Sequence, residues 1–165
     1  MYAASVPVFS QMLNSLSDIL HKAEAHSDAK NIEPSVFLQA RLSPDMFSLL
    51  RQVQVAADFA RGVSARLAGQ DVPKVGDNQQ TFADCQALII QSLDFINSIN
   101  AEQIDGQESR EIITRPGTPK ERRFSGQAYL LHYGLPQFFF HVTTAYAILR
   151  QHGVELGKKD YMGSY

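Results

Sequence analysis

Two of the five histidines, His141 and His152, fall on one apolar stripe near the end of the chain. Imidazoles on a helix face are suited to hold a metal ion or to move a proton. The stripe lies within YLLHYGLPQFFFHVTTAYAILRQHGVELGKKDYMG, residues 129–163, where Phe138, His141, Val142, Ala145, Ile148, Leu149 and His152 recur at three-and-four spacing. Zinc- or nickel-binding helices place ligands four apart, or draw them from facing helices, so that the rings converge. Four residues after His141 stands Ala145, so the two-histidine helix motif is absent. His141 and His152 are separated by about 16 Å along a helix axis and cannot share one ion. A metal site would have to join His141 to Gln52, Asp45 or His132. The plainer reading is a buried histidine whose ring nitrogens bond to neighbouring groups, and it takes precedence.

Other chemistries find less. No serine sits in a G-x-S-x-G elbow, and neither G-x-G-x-x-G nor a Walker-type run occurs. Asp45 and Asp58 are thirteen residues apart and read as capping or solvated carboxylates. If the chain is an enzyme, His141 is its ligand or general base, and Tyr146 or Arg41 orients the substrate. Arg110, Arg115, Lys120, Arg122 and Arg123 form one basic cluster, but Glu108, Glu111 and Glu121 interleave with it. It carries no aromatic ladder for stacking bases. A solvated ribbon of mixed charge is the expectation for 110–123, with nucleic-acid binding as the minor alternative. His21 and His26 read as solvated residues at a helix end, favoured by the dipole.

These residues need a scaffold, and the pattern supplies helices. The chain has 165 residues, 15 basic and 17 acidic, for a net charge of -2. That balance gives no mandate for nucleic acid or anionic membranes. The lone Cys85 excludes an intrachain disulfide and reads as a buried, inert thiol. No apolar run approaches the ~20 residues of a membrane span, and no targeting signal is visible, so the expectation is a single cytoplasmic domain.

The first helix is predicted from about Val6 to about Ala25. A connection over 27–42 follows, with a short piece around Val36–Leu42. Ser43-Pro44-Asp45 is predicted to open the second helix, which runs to about Ala68. A polar loop covers 69–80. Thr81 then caps a third helix, with Asp84 at the reciprocal position, to about Asn100. Glu111–Arg115 and Arg122–Phe124 flank Pro116-Gly117 and suggest a two-stranded ribbon that must lean on the bundle. A helical segment from Ser125 or Gly126 is expected to kink or break at Gly134 and Pro136 before the last helix. The tail after Gly153 has no helical period and should fold back along the surface.

The last helix is apolar most of the way round, which implies burial on more than one side. Phe139 and Tyr146 are the residues expected at a homodimer interface. The blocks ARLSPDMFSLLRQVQVAADFARG (40–62) and 129–163 resemble an uncharacterised bacterial domain-of-unknown-function family grouped with the DinB/YfiT-like helical bundles. The resemblance covers nearly the whole chain. It implies an all-α, up-down-down-up four-helix bundle with a long crossover, commonly dimeric. It further implies a divalent ion on three histidines, one from the second helix and two, four apart, from the last. His141 matches the first of that pair, Ala145 stands at the second, and Gln52 aligns with the third. One ligand of three survives, too few to hold the ion against water.

The expectation is therefore a dimeric small-molecule-binding or interaction protein with a degenerate metal site and no cofactor of its own. A metal- or thiol-cofactor-dependent transferase or isomerase with a site rebuilt around His141 is the alternative.

Overall fold

A computed structural model describes residues 1–164. The first helix, α1 (Val6–Lys30), opens with Pro7 in its first turn and ends where Asn31 turns left-handed at φ 51°. Phe9, Leu13, Leu16, Leu20 and Ala23 line its fully buried side. It runs five residues past the predicted end. His26 therefore lies within the helix, edge-on to Phe37 of the short α2 (Pro34–Leu38) at 5.9 Å, while His21 is exposed.

The second long helix, α3 (Leu49–Ala68), starts five residues later than Ser43-Pro44-Asp45 suggests. The Ser43 hydroxyl donates to the Asp45 carboxylate at 2.5 Å rather than accepting from a helix amide. Arg41 donates to the Met46 carbonyl, and the Leu49 amide to the Ala40 carbonyl at 2.9 Å. This loop is closed on itself, so helix formation waits for Ser48, whose hydroxyl accepts from the Arg51 amide. Gly69 ends α3 at φ 69°. After the long crossover comes α4 (Phe82–Asn97), capped as predicted by the reciprocal Thr81–Asp84 bonds, both 3.0 Å. Cys85 is fully buried on it, and burial pushes its thiol up to about 12.

A short α5 (Ala101–Ile104) leads into the ribbon of β1 (Glu111–Thr114) and β2 (Arg122–Ser125). The strands are antiparallel, with Ile112 opposite Phe124 and Thr114 opposite Arg122. Gly117, at φ 71° after Pro116, supplies the left-handed position of the turn. Ile112 and Thr114 are buried, so the ribbon leans on the bundle as its length demands.

At Gly134 and Pro136, where a kink or break is expected, the helix is not broken but interrupted by a π-helical turn that ends at Gly134. The chain stays helical through α6 (Gly126–Ala128), a π-helical turn (Tyr129–Gly134) and α7 (Leu135–Gln151). The widened turn resets the hydrogen-bond register, and Pro136 falls in the first turn of α7, where a missing N–H is tolerated. Gly134 serves close packing instead: a Cβ there would lie 2.8 Å from Val63 Cγ2 of α3 and 3.3 Å from the Tyr129 carbonyl oxygen. His152 is not on the buried stripe but exposed at the end of α7, where its Nδ1 meets the Ile148 carbonyl at 2.8 Å. The tail does fold back, as a short helix rather than irregular chain. This helix, α8 (Lys158–Met162), lies on α1, where Ser15 donates to the Asp160 and Tyr161 carbonyls and Lys22 pairs with Asp160 at 2.7 Å.

The helices α1, α3, α4 and α7 make an up-down-down-up bundle in which α3 packs between α4 and α7, and α1 closes the ring. One cluster of buried residues draws on all four. Among the described residues no helix is long and apolar enough to cross a membrane.

The Gly134 contact gives a stability prediction. Gly134→Ala gains about 1 kcal/mol of helix propensity, but forces the stiff, buried Val63 aside at about 1–3 kcal/mol. Urea unfolding should show a net loss, and Val63→Ala in the same chain should be less harmful than the two single changes added together.

Candidate functional site

The α3–α7 contact carries one polar pair. His141 is 7% exposed and Gln52 1%. His141 Nδ1 lies 2.7 Å from Gln52 Oε1, and Gln52 Nε2 donates to the Phe47 carbonyl at 3.2 Å. The second bond fixes the amide, so its oxygen faces the ring. An oxygen can only accept, so Nδ1 carries the proton and Nε2 keeps its lone pair. Phe59 stacks on the imidazole at 5.9 Å and Phe140 meets it edge-on at 5.3 Å. Burial, with the Arg51 guanidinium adding to it, pushes the imidazole down to about 4. At neutral pH His141 is an uncharged acceptor. A base that weak is poorly matched to proton transfer near pH 7.

His141 stands in the wall of a cleft of about 570 Å³ between α3, the ribbon and the α6–α7 helix. An adjoining chamber of about 240 Å³ shares Asp58, Phe59, Thr114, Arg115 and Tyr133 with it. The combined volume falls within the range of small-molecule sites. From α3 come Arg51, Val55, Asp58 and Gly62, spaced so that they share one helix face. From the last helix come Tyr133, Gln137 and His141, again at fours. That spacing is visible in the sequence, and it is the signal that could have marked the cleft. The α3 face reads as solvated until the ribbon covers it.

Asp58 stays exposed, as expected of a solvated carboxylate, but it lines both chambers and pairs with Arg61. Partial burial raises its pKa, opposed by the Arg61 guanidinium. Arg61, only 2% exposed, also donates to the Ser92 hydroxyl. Arg51 pairs with Asp77 at 2.6 Å and lies 5.9 Å over the Phe47 ring. The basic cluster of the ribbon divides. Arg110 donates to the Leu67 carbonyl at the end of α3, and Arg123 pairs with Glu111 and Glu121. Arg115, Lys120 and Arg122 line the cleft instead.

Of the residues the sequence nominates, only Gln52 joins His141. Asp45 is exposed and bonded to Ser43; Arg41 is exposed and bonded to Met46. His132 is exposed and lines not the cleft but a neighbouring depression with Pro136 and Phe140, which shares Tyr133 and Gln137 with the cleft. Tyr146 is half-buried against Tyr161 of the tail at 5.8 Å, and Phe139 is half-buried against Phe138 at 5.7 Å.

The donors do not fit the three-histidine ion. Gln52 occupies one ring nitrogen of His141, Ala145 offers only a methyl, and no three His, Cys, Asp or Glu side chains converge among the described residues.

The pair makes stability pH-dependent. In the unfolded chain the imidazole titrates near its ordinary 6.5, in the folded one near 4, so the unfolded state binds more protons between these values. The contribution, of the order of 3 kcal/mol, is fully present above pH 6.5 and is lost as pH falls through 4. Urea unfolding across this window should show the loss in the wild type and a flatter profile in His141→Gln. A profile unchanged by that substitution would place the titration elsewhere.

A family model described as a domain of unknown function (DUF1993) matches residues 1–162. The crystal structure of a DinB family member protein from Shewanella denitrificans is similar, with a TM-score of 0.93 and 37% sequence identity. The match covers 99% of this chain and 92% of that one. No curated protein matches. A family match of this extent and a structural match of this quality agree with the bundle, the ribbon and the packing described above: the chain belongs to the DUF1993 family and has the DinB fold.

Proposed function

We propose that the protein is a small-molecule-binding bundle whose ligand sits in the cleft beside His141. The observation that carries this reading is the uncharged imidazole with one nitrogen held by Gln52 and the other left as an acceptor in a cleft wall. A buried, oriented acceptor of this kind selects for a ligand with a hydrogen-bond donor. Phe59 and Tyr133 supply apolar surface for the rest of the molecule. Transferase or isomerase chemistry on a rebuilt metal site has less support, because the donor set does not converge.

On this reading the protein is also a homodimer through the aromatic side of its last helix. Phe140 is 54% exposed there, and Phe139 and Tyr146 are only half-covered by their own chain.

The ligand site is tested by screening a fragment library by NMR, following the backbone amide resonances of the residues that line the cleft. Fragments carrying an N–H or O–H donor should shift them, and His141→Ala should weaken those fragments about tenfold, the value of a hydrogen bond to a buried acceptor. Equal binding to wild type and variant would count against the assignment. Sedimentation tests the dimer: the expected mass is two chains, with Phe140→Asp shifting it to one. A single-chain mass at every concentration would contradict the dimer.

A further inference from the structure

The cleft is far from electrically neutral. Arg51, Arg61, Arg66, Arg115, Lys120 and Arg122 line its two chambers against one carboxylate, Asp58. The chain as a whole carries -2, so this excess is local and opposes the overall charge. Two of the cations are already matched, Arg61 by Asp58 and Arg51 by Asp77. Among the described residues Arg66, Arg115, Lys120 and Arg122 have no carboxylate partner, whereas Arg123 on the same ribbon has two. Arg115, Lys120 and Arg122 are exposed residues of the cleft lining, and like charges so close in sequence repel one another even in solvent, to a degree set by the salt.

Arg115 adds a second observation. Its backbone sits at φ 50°, in the left-handed region, directly before Pro116. Glycine or asparagine fills such positions without the steric penalty. Here the strained position holds a long cation that lines both chambers. The backbone therefore keeps a conformation that costs arginine more than it would cost glycine. Arg61, which lines the smaller chamber and is itself buried, keeps its Nε without a partner.

We propose that the cleft is an anion site: it takes a small organic carboxylate or phosphate ester whose charged group meets Arg115, Lys120 and Arg122 and whose apolar body rests on Phe59 and Tyr133. The inference rests on the cleft being a ligand site, and adds the charge of the ligand. An anion placed there offsets the mutual repulsion of the ribbon cations. A guanidinium pair and an ammonium grip both carboxylate and phosphate oxygens.

The test uses four simple probes, each with a 4-hydroxyl group to donate to His141: the benzoate and phenyl phosphate derivatives as anions, the benzamide and phenol derivatives as uncharged relatives. Binding is followed through the ring resonances of His141 at low and high salt. Both chamber-sized anions should bind at least about tenfold more tightly than their uncharged relatives, and salt should erode the difference. Arg115→Gly removes the charge while fitting the left-handed turn, so anion binding should fall about tenfold with no loss of thermal stability. The relative affinity of benzoate and phenyl phosphate tells a carboxylate ligand from a phosphate one. If benzamide and phenol match the anions, the charge inference is overturned while the ligand site stands. If no probe moves His141, the ligand site itself falls. An oligonucleotide that binds through the same three cations and is not displaced by phenyl phosphate would overturn the small-anion assignment in favour of nucleic acid.

Discussion

The bond between His141 and Gln52 constrains everything around it. Two polar side chains are buried between packed helices, and each unmet donor or acceptor there costs about 1–3 kcal/mol. The pair therefore tolerates only one register of α7 on α3. A second contact agrees with it: Gln52 meets His141 while Val63 faces Gly134. Residue numbers rise along one helix as they fall along the other, so the two contacts together hold the helices antiparallel and close. The π-helical turn makes this possible, since it places Gly134 against α3 and resumes α-geometry in time to aim His141 at Gln52.

The ribbon depends on the same helix pair. Two four-residue strands have little stability of their own. Phe124 of β2 packs against Tyr129 and Tyr133 at 5.7 and 5.2 Å, and Tyr133 in turn meets Phe59 of α3 at 5.9 Å. This run of aromatic rings ties the ribbon to the π-helical turn and to α3. Packing of that kind fixes where Thr114 and Arg115 stand, and so shapes the cleft on the side opposite His141. Cavity, charge and imidazole are thus consequences of one packing arrangement.

Much of the fold was legible because it is written in local rules. The buried stripe of α1, the Thr81–Asp84 box and the Pro116-Gly117 turn each follow from residue types at fixed spacing. Boundaries failed where tertiary contacts compete with those rules. Ser43-Pro44-Asp45 has the composition of a helix start, yet the Leu49–Ala40 bond closes a loop there first. Pro136 reads as a breaker, yet a π-helical turn absorbs it. For the site, Gln52 and His141 were both identifiable from the residues and the resemblance. Asp45, Arg41 and His132 were not separable from them, because helical spacing says nothing about which loops turn inward. The cations were visible as a cluster, but only the strand register decides that Arg123 faces two glutamates while Arg115 and Arg122 line a cleft.

The cleft's acceptor exists only if His141 is an uncharged ring with its proton on Nδ1. Nitrogen-15 NMR of the imidazole at pH 7 reads this directly, because protonated and bare ring nitrogens resonate far apart. The predicted spectrum has Nδ1 protonated and coupled to Gln52, Nε2 bare, and no change until the pH approaches 4. A cationic ring at pH 7, or a proton on Nε2 with Nδ1 bare, would contradict it.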